Sequence, residues 1–186
     1  MIKFKNREEI ADYIKSDYNI CEVGVKDGEY FSLLMKNNPQ FSVAIDLWDI
    51  YTFPSQNDLN YNIEEIRQFE INFREKFKYT KILKMSSTDA ACLFDDNFFD
   101  LIYIDADHTY ESVKNDLYCW YSKLKSGGIF AGHDYCEYYI ESTKTKFGVI
   151  QALDEFVCEK KLQEHFQITT DGSPEDHWKS WIIIKP

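Results

Sequence analysis

Proline and glycine are scarce in this chain, 4 and 7 of 186 residues, and no Pro/Gly/Ser-rich stretch divides it. At a usual size of about 150 residues per domain, that predicts one domain over residues 1–186. Long apolar runs are also missing and the mean hydropathy is −0.47, which argues against a membrane-spanning helix. Dense Lys/Arg runs are missing too. With 21 basic against 32 acidic residues the net charge is −11, and tight binding to nucleic acid, which relies on basic groups releasing counterions, is not expected. The five cysteines are an odd number with no C-x-x-C pair, so they read as buried thiols in a reducing compartment. The first residues turn charged at Lys3, Lys5 and Arg7 before an apolar segment forms, which predicts no signal peptide and a cytoplasmic protein.

What is present alternates regularly. β-rich runs at 19–23, 41–45, 80–85, 101–104 and 128–132 are separated by helical patterns. This is the signature of an α/β fold with a mainly parallel sheet covered by helices on both faces. Runs at 166–170 and 178–185 have only a turn cluster beginning at Asp171 between them and are expected to pair as an antiparallel hairpin. Val113, Leu117, Trp120 and Leu124 form one apolar helical stripe; Val149, Ile150, Leu153, Phe156 and Val157 form another; Ile66, Phe69, Phe73 and Phe77 a third. The aromatic, irregular segment 47–61 follows a strand end and reads as a lid.

The first chemical signal is Glu22-Val-Gly24-Val-Lys26-Asp-Gly28, a strand running through a glycine turn into a helix. Glycine at such a turn lets backbone approach a ligand. Lys26 stands where a dinucleotide fingerprint needs its middle glycine, so a nicotinamide dehydrogenase is disfavoured. Glu22 would repel a pyrophosphate but pair with a ligand ammonium group. The second strand ends in Asp46, about twenty residues on, where a carboxylate can hold ribose hydroxyls. A ligand with ribose, an ammonium group and no phosphate is S-adenosylmethionine (SAM).

The second signal lies where strands four and five run out, at Asp105-Ala-Asp107-His108 and at His133-Asp134. Ligands in open α/β sheets bind beyond the carboxyl ends of strands. Asp105 and Asp134 suit a hard divalent cation such as Mg²⁺, whereas His133 would favour Mn²⁺, Fe²⁺ or Zn²⁺. His108, with an ordinary pKa near 6.5, is placed to take a proton from a substrate hydroxyl. Asp107 either caps the following helix or touches SAM. His165 and His177 read as structural.

These segments resemble the class I SAM-dependent methyltransferases, and most nearly the group reading I-D-x-D-H-x-Y-E-x-V, then D, then L-x-x-G-G-x-x-x-G-H-D-Y. Here they stand as Ile104 to Val113, Asp116, and Leu124 to Tyr135, preceded by Glu22 to Gly28 and Asp46 and followed by Phe147 to Phe156. The resemblance implies a Rossmann-like seven-stranded sheet in the order 3-2-1-4-5-7-6 with strand 7 antiparallel. It implies SAM lying across Glu22, Gly24, Gly28 and Asp46, with Asp105 and Asp107 adjoining. Ser87, in the turn Ser86 to Asp89, would flank the adenine. Metal-dependent O-methyltransferases of this kind imply a Mg²⁺ or Mn²⁺ site at Asp105, His133 and Asp134, with His108 as base and Asp105 and Asp134 completing the catalytic set; His133 departs from the carboxylate those enzymes carry. The expected reaction is methyl transfer to an oxygen of a small polar acceptor, such as a sugar. The alternatives are metal-free methylation with His108 or Asp134 as base, or a SAM-fold binding module without activity. Tyr135, Tyr138 and Tyr139 either stack on the acceptor or pack the face of a homo-oligomer.

Overall fold

The computed structural model describes residues 3–49, 63–141, 144–172 and 178–186. Its elements run α1 (Arg7–Asp12), β1 (Asn19–Val23), α2 (Glu29–Leu34), β2 (Phe41–Asp46), α3 (Ile63–Lys76), β3 (Lys81–Lys84), α4 (Ser87–Ala91), β4 (Phe99–Ile104), α5 (Tyr110–Tyr121) and β5 (Leu124–Gly132). They continue with β6 (Tyr139–Ile140), β7 (Thr145–Lys146), α6 (Val149–Lys160), β8 (Phe166–Ile168) and β9 (Trp181–Ile184). Seven strands form one sheet in the order β3-β2-β1-β4-β5-β9-β8. The first five are parallel and β9 is antiparallel to both its neighbours. With β8 and β9 as the sixth and seventh strands of the sheet, this is the order the resemblance implied.

The central strands are apolar nearly throughout because both of their faces are covered. Side-chain alternation along β1 sends Cys21 and Val23 into one core and Ile20 into the other. The first core packs under α5 and α6 through Val113, Leu117, Trp120, Leu153 and Phe156. The second packs under α1, α2 and α3 through Ile10, Phe31, Leu34 and Phe73. The apolar stripes are therefore core, as their period predicts, except that Ile150 is half-buried outside both cores, Phe69 and Phe77 pack only partly buried against the second, and Leu124 belongs to β5 rather than to the helix before it.

Several boundaries move. β5 begins at Leu124 instead of 128, because Phe99 pairs with Leu124 before the register shifts to Leu101 with Ile129. β9 begins at Trp181, and the small β6–β7 hairpin was not anticipated. The cysteines need a correction: all five are free, but only Cys21 is buried, while Cys92 and Cys158 are exposed. Cys158 lies on the outward side of α6 and Cys92 just past the end of α4, where a thiol's apolar sequence neighbours do not cover it. The expected lid at 47–61 is described only at its start, where Trp48 is buried against Phe73; the remainder, and His177, lie outside the described residues. Among the described residues no helix is long and apolar enough to cross a membrane.

Candidate active site

At the carboxyl end of β1 the chain turns through Gly24 at φ +89°, Lys26 at φ +47° and Gly28 at φ +82°. Gly24 donates its N–H to the Ile45 carbonyl at 2.8 Å, tying this turn to the end of β2. A Cβ on Gly24 would lie 2.0 Å from the Asp105 carbonyl oxygen. The missing side chain thus makes room for the protein's own neighbouring strand end. Asp46 closes the other side of the turn, accepting from the Lys26 N–H and the Trp48 N–H, each at 2.7 Å. With the Leu47 N–H bonding the same carboxylate, three of its roughly four acceptor sites are used and one is left for a further hydroxyl donor. Burial pushes the Asp46 carboxyl up, against the backbone N–H groups that favour its charge.

Glu22 is buried at 2% exposure and its Oε2 has no hydrogen-bond partner among the described residues. Burial pushes its carboxyl well above the usual range, and Asp105 adds to this while Arg7 opposes it. Arg7, itself buried, lies 5.1 Å over the Tyr30 ring, and Tyr30 donates its hydroxyl to the Arg7 carbonyl. Arg7 was not singled out from the sequence; a single Arg in a short amphipathic helix carries no sign that it faces inward.

An open cleft of ≈ 660 Å³, counting its mouth, runs from Gly24 and Asp46 to Ser87, Asp107 and Asp116. Asp107 accepts from the Thr109 N–H (3.2 Å), the Thr109 hydroxyl (3.1 Å) and the Ser112 hydroxyl (2.8 Å). It fastens the first turn of α5 while also lining the cleft, so the cap and the cleft contact coexist.

Beyond Gly24 the ends of β4 and β5 bring Asp105, His108 and Asp134 together. Their ligand-capable atoms all lie within 4.8 Å of one another. His108 Nε2 is 2.5 Å from Asp134 Oδ2 and 3.7 Å from Asp105 Oδ1. The imidazole stacks on Phe147 at 4.5 Å between centroids and 21° between planes, and the His108 carbonyl accepts from the Gly148 N–H at 2.8 Å. Burial alone would lower the His108 pKa. The charge of Asp134 and the hydrogen bonds and charge of the two carboxylates outweigh it and raise the pKa to about 10. Asp134 moves the opposite way, well below the usual carboxylate range, because His108 and His133 overcome its burial.

Residues 21–135 match the model of a family described as a methyltransferase domain. The chain belongs to this SAM-dependent methyltransferase family. A curated relative, uncharacterized protein R132 of Acanthamoeba polyphaga mimivirus, is 27% identical over 142 residues, which is 74% of this chain and 61% of that protein. Among solved structures, SMU.1697c from Streptococcus mutans, a complex with SAH (S-adenosylhomocysteine), has a TM-score of 0.63 at 13% identity, covering 98% of this chain and 99% of that one. An rRNA methylase from Streptococcus thermophilus has a TM-score of 0.64 at 10% identity, covering 100% and 99%. At these identities the structural likeness establishes the Rossmann-like methyltransferase fold and nothing finer.

In this member of the family Gly24, Asp46, Ser87 and Asp107 line the cleft, and Asp105 adjoins it through Gly24. Gly28 does not: a Cβ there would lie 2.6 Å from the Phe73 ring, so its small size admits helix α3. Ser87 faces the cleft, but its hydroxyl accepts from Trp120 Nε1–H at 2.8 Å and bonds Asp116. The expected cation set also changes. His133 stays outside the group, its Nδ1 turned to Asp134 Oδ1 at 3.2 Å, and His108 takes its place. The reason is local: the His133 N–H still continues the ladder to Ile104, whereas Asp134 adopts φ +56° and swings the chain away.

Proposed function

We propose that this methyltransferase, a single domain over residues 1–186, transfers a methyl group from SAM to a hydroxyl of a small polar acceptor such as a sugar, with a divalent cation at Asp105, His108 and Asp134. The observation that carries this reading is the junction of two environments at Gly24 and Asp105. On one side lies an open cleft with Asp46 at its rim, and the buried carboxyl of Glu22, outside the cleft lining, interacts electrostatically with both Asp105 and Asp46. On the other lies a compact group of two carboxylates and an imidazole.

Glu22 would meet the ammonium group of the donor and Asp46 its ribose hydroxyls. Holding donor and acceptor in line can supply about 7–11 kcal/mol of the barrier, so positioning is the larger part of the protein's work. Two oxygen donors and one nitrogen donor fit a borderline cation such as Mn²⁺ better than Mg²⁺. Such a cation would supply a Lewis acid that acidifies an acceptor hydroxyl. Ligating a cation requires His108 in its neutral form, and so does accepting a proton. In the form seen here Asp105 and Asp134 favour the imidazolium, which weighs against a metal-free mechanism with His108 as base. The net charge of −11 supports a small acceptor over nucleic acid.

The test is calorimetric titration with SAH, followed by transfer from labelled SAM to a panel of hexoses and catechol before and after exhaustive chelation. We expect SAH to bind, hexoses to be methylated, activity to vanish on chelation and Mn²⁺ to restore it. No SAH binding would remove the whole reading. Transfer that survives chelation would remove the cation, and transfer to catechol alone would remove the sugar.

A further inference from the structure

Several polar groups around the cleft are occupied with the protein's own backbone and hydroxyl groups. Asp46 holds Lys26 and Trp48, Asp107 holds Thr109 and Ser112, and Ser86 caps α4 through the Asp89 N–H. Asp116 is different. It lines the same cleft from α5, is 4% exposed, and is held by the hydroxyl of Ser87, which Trp120 fixes from behind. The charge acting on it is Asp107, which repels it. A buried acid facing a like charge lowers stability, and such groups concentrate at binding sites.

We propose that Asp116 reads the nucleobase of the bound donor, pairing its carboxyl group with the amino and ring-nitrogen edge of adenine. The inference rests on the SAM reading above and adds to it the residue that selects the base. A neutral carboxyl group presents one donor and one acceptor side by side. Adenine presents an amino donor beside a ring-nitrogen acceptor, so the two edges are complementary. A carboxylate offers acceptors only and satisfies half of that edge.

The neutral form is accessible at physiological pH. Burial, opposed by the Ser87 hydrogen bond and reinforced by Asp107, pushes the carboxyl up to about 7. Among the described residues the titratable and charged groups around it are Asp107 from the β4–α5 loop, Asp46 from the end of β2 across the cleft, and Cys119 on its own helix, whose thiol is pushed up by burial and by Asp116. Helix α4 contributes Ser87.

The experiment is calorimetric titration of the full chain with SAH between about pH 6 and about pH 8 for wild type, D116N and D116L. Asparagine keeps one donor and one acceptor without a charge; leucine keeps the volume alone. We expect wild-type affinity to fall roughly tenfold across this range. D116N should hold its low-pH affinity throughout, and D116L should bind at least about tenfold more weakly at every pH. Glu22 and Asp46 titrate alike in wild type and D116N, so the difference between these two curves isolates Asp116. Coincident curves, or wild-type affinity in D116L, would overturn the assignment even though SAH binds. Absence of SAH binding in the wild type would instead remove the donor reading and this one with it. Should D116L fail to fold, the comparison of D116N with wild type, matched by thermal melts, decides alone.

Discussion

His108 sits three residues beyond Asp105, and its sequence context suggests a base with an ordinary pKa near 6.5. Packed between Asp105 and Asp134 it is held as a cation, because two carboxylates favour its proton more than burial disfavours it. Its removal should therefore damage chemistry and not donor binding. Because His108 is a ligand of the proposed cation, H108A is expected to lower methyl transfer by at least about 10–100-fold with SAH affinity unchanged, read from kinetics and calorimetry side by side. Gly24 gives the opposite pattern. Alanine there would adopt a left-handed φ and meet the Asp105 carbonyl, a strain of about 1–3 kcal/mol before any displacement of β4. G24A should lower the melting temperature and weaken SAH together. The need for glycine was legible in the strand-turn-helix pattern. Its cause was not, because the atom it avoids is 81 positions away in sequence and adjacent only through the pairing of β1 with β4.

Among the elements, α5 shows what periodicity does and does not reveal. Val113, Leu117 and Trp120 recur at helical spacing and are buried. Asp116, one position before Leu117, is buried beside them, yet it faces a cleft that the stripe cannot announce. The junction of β7 with α6 acts on the site from a distance. Phe147 donates its N–H to the Tyr138 carbonyl, Gly148 bonds the His108 carbonyl, and the Phe147 ring stacks on the imidazole. F147A should lower turnover while leaving SAH affinity intact, and should cost about 3–5 kcal/mol of stability as a buried aromatic truncation. A loss of SAH binding in that variant, measured by calorimetry on folded protein, would contradict the clamp assigned to this ring.

Across the whole molecule the buried acids make stability depend on pH. Asp116 has its carboxyl raised from an ordinary 3.8 to about 7 in the folded chain. Between those values the native state retains a proton that the unfolded chain has released, so stability falls as pH rises through this window. At about 1.4 kcal/mol per pH unit the penalty reaches up to about 4 kcal/mol above pH 7. D116N removes it, so its advantage over wild type in thermal melts should be absent near pH 4, grow toward pH 7 and then level off. An advantage independent of pH would show that packing, and not charge, sets the effect.

The order of strands and helices, the stripes that become core, the glycine turn and the acid ending β2 were all readable from residue spacing. Spacing suffices because backbone geometry fixes the period with which side chains return to one face. Which polar atoms meet was settled by the folded arrangement. Whether position 108 or 133 joins Asp105 and Asp134 depends on the left-handed turn at Asp134 and on β4 lying beside β5. That Gly28 serves α3 rather than the cleft depends on where Phe73 comes to rest. Such meetings join positions far apart in the chain, and no local period encodes them.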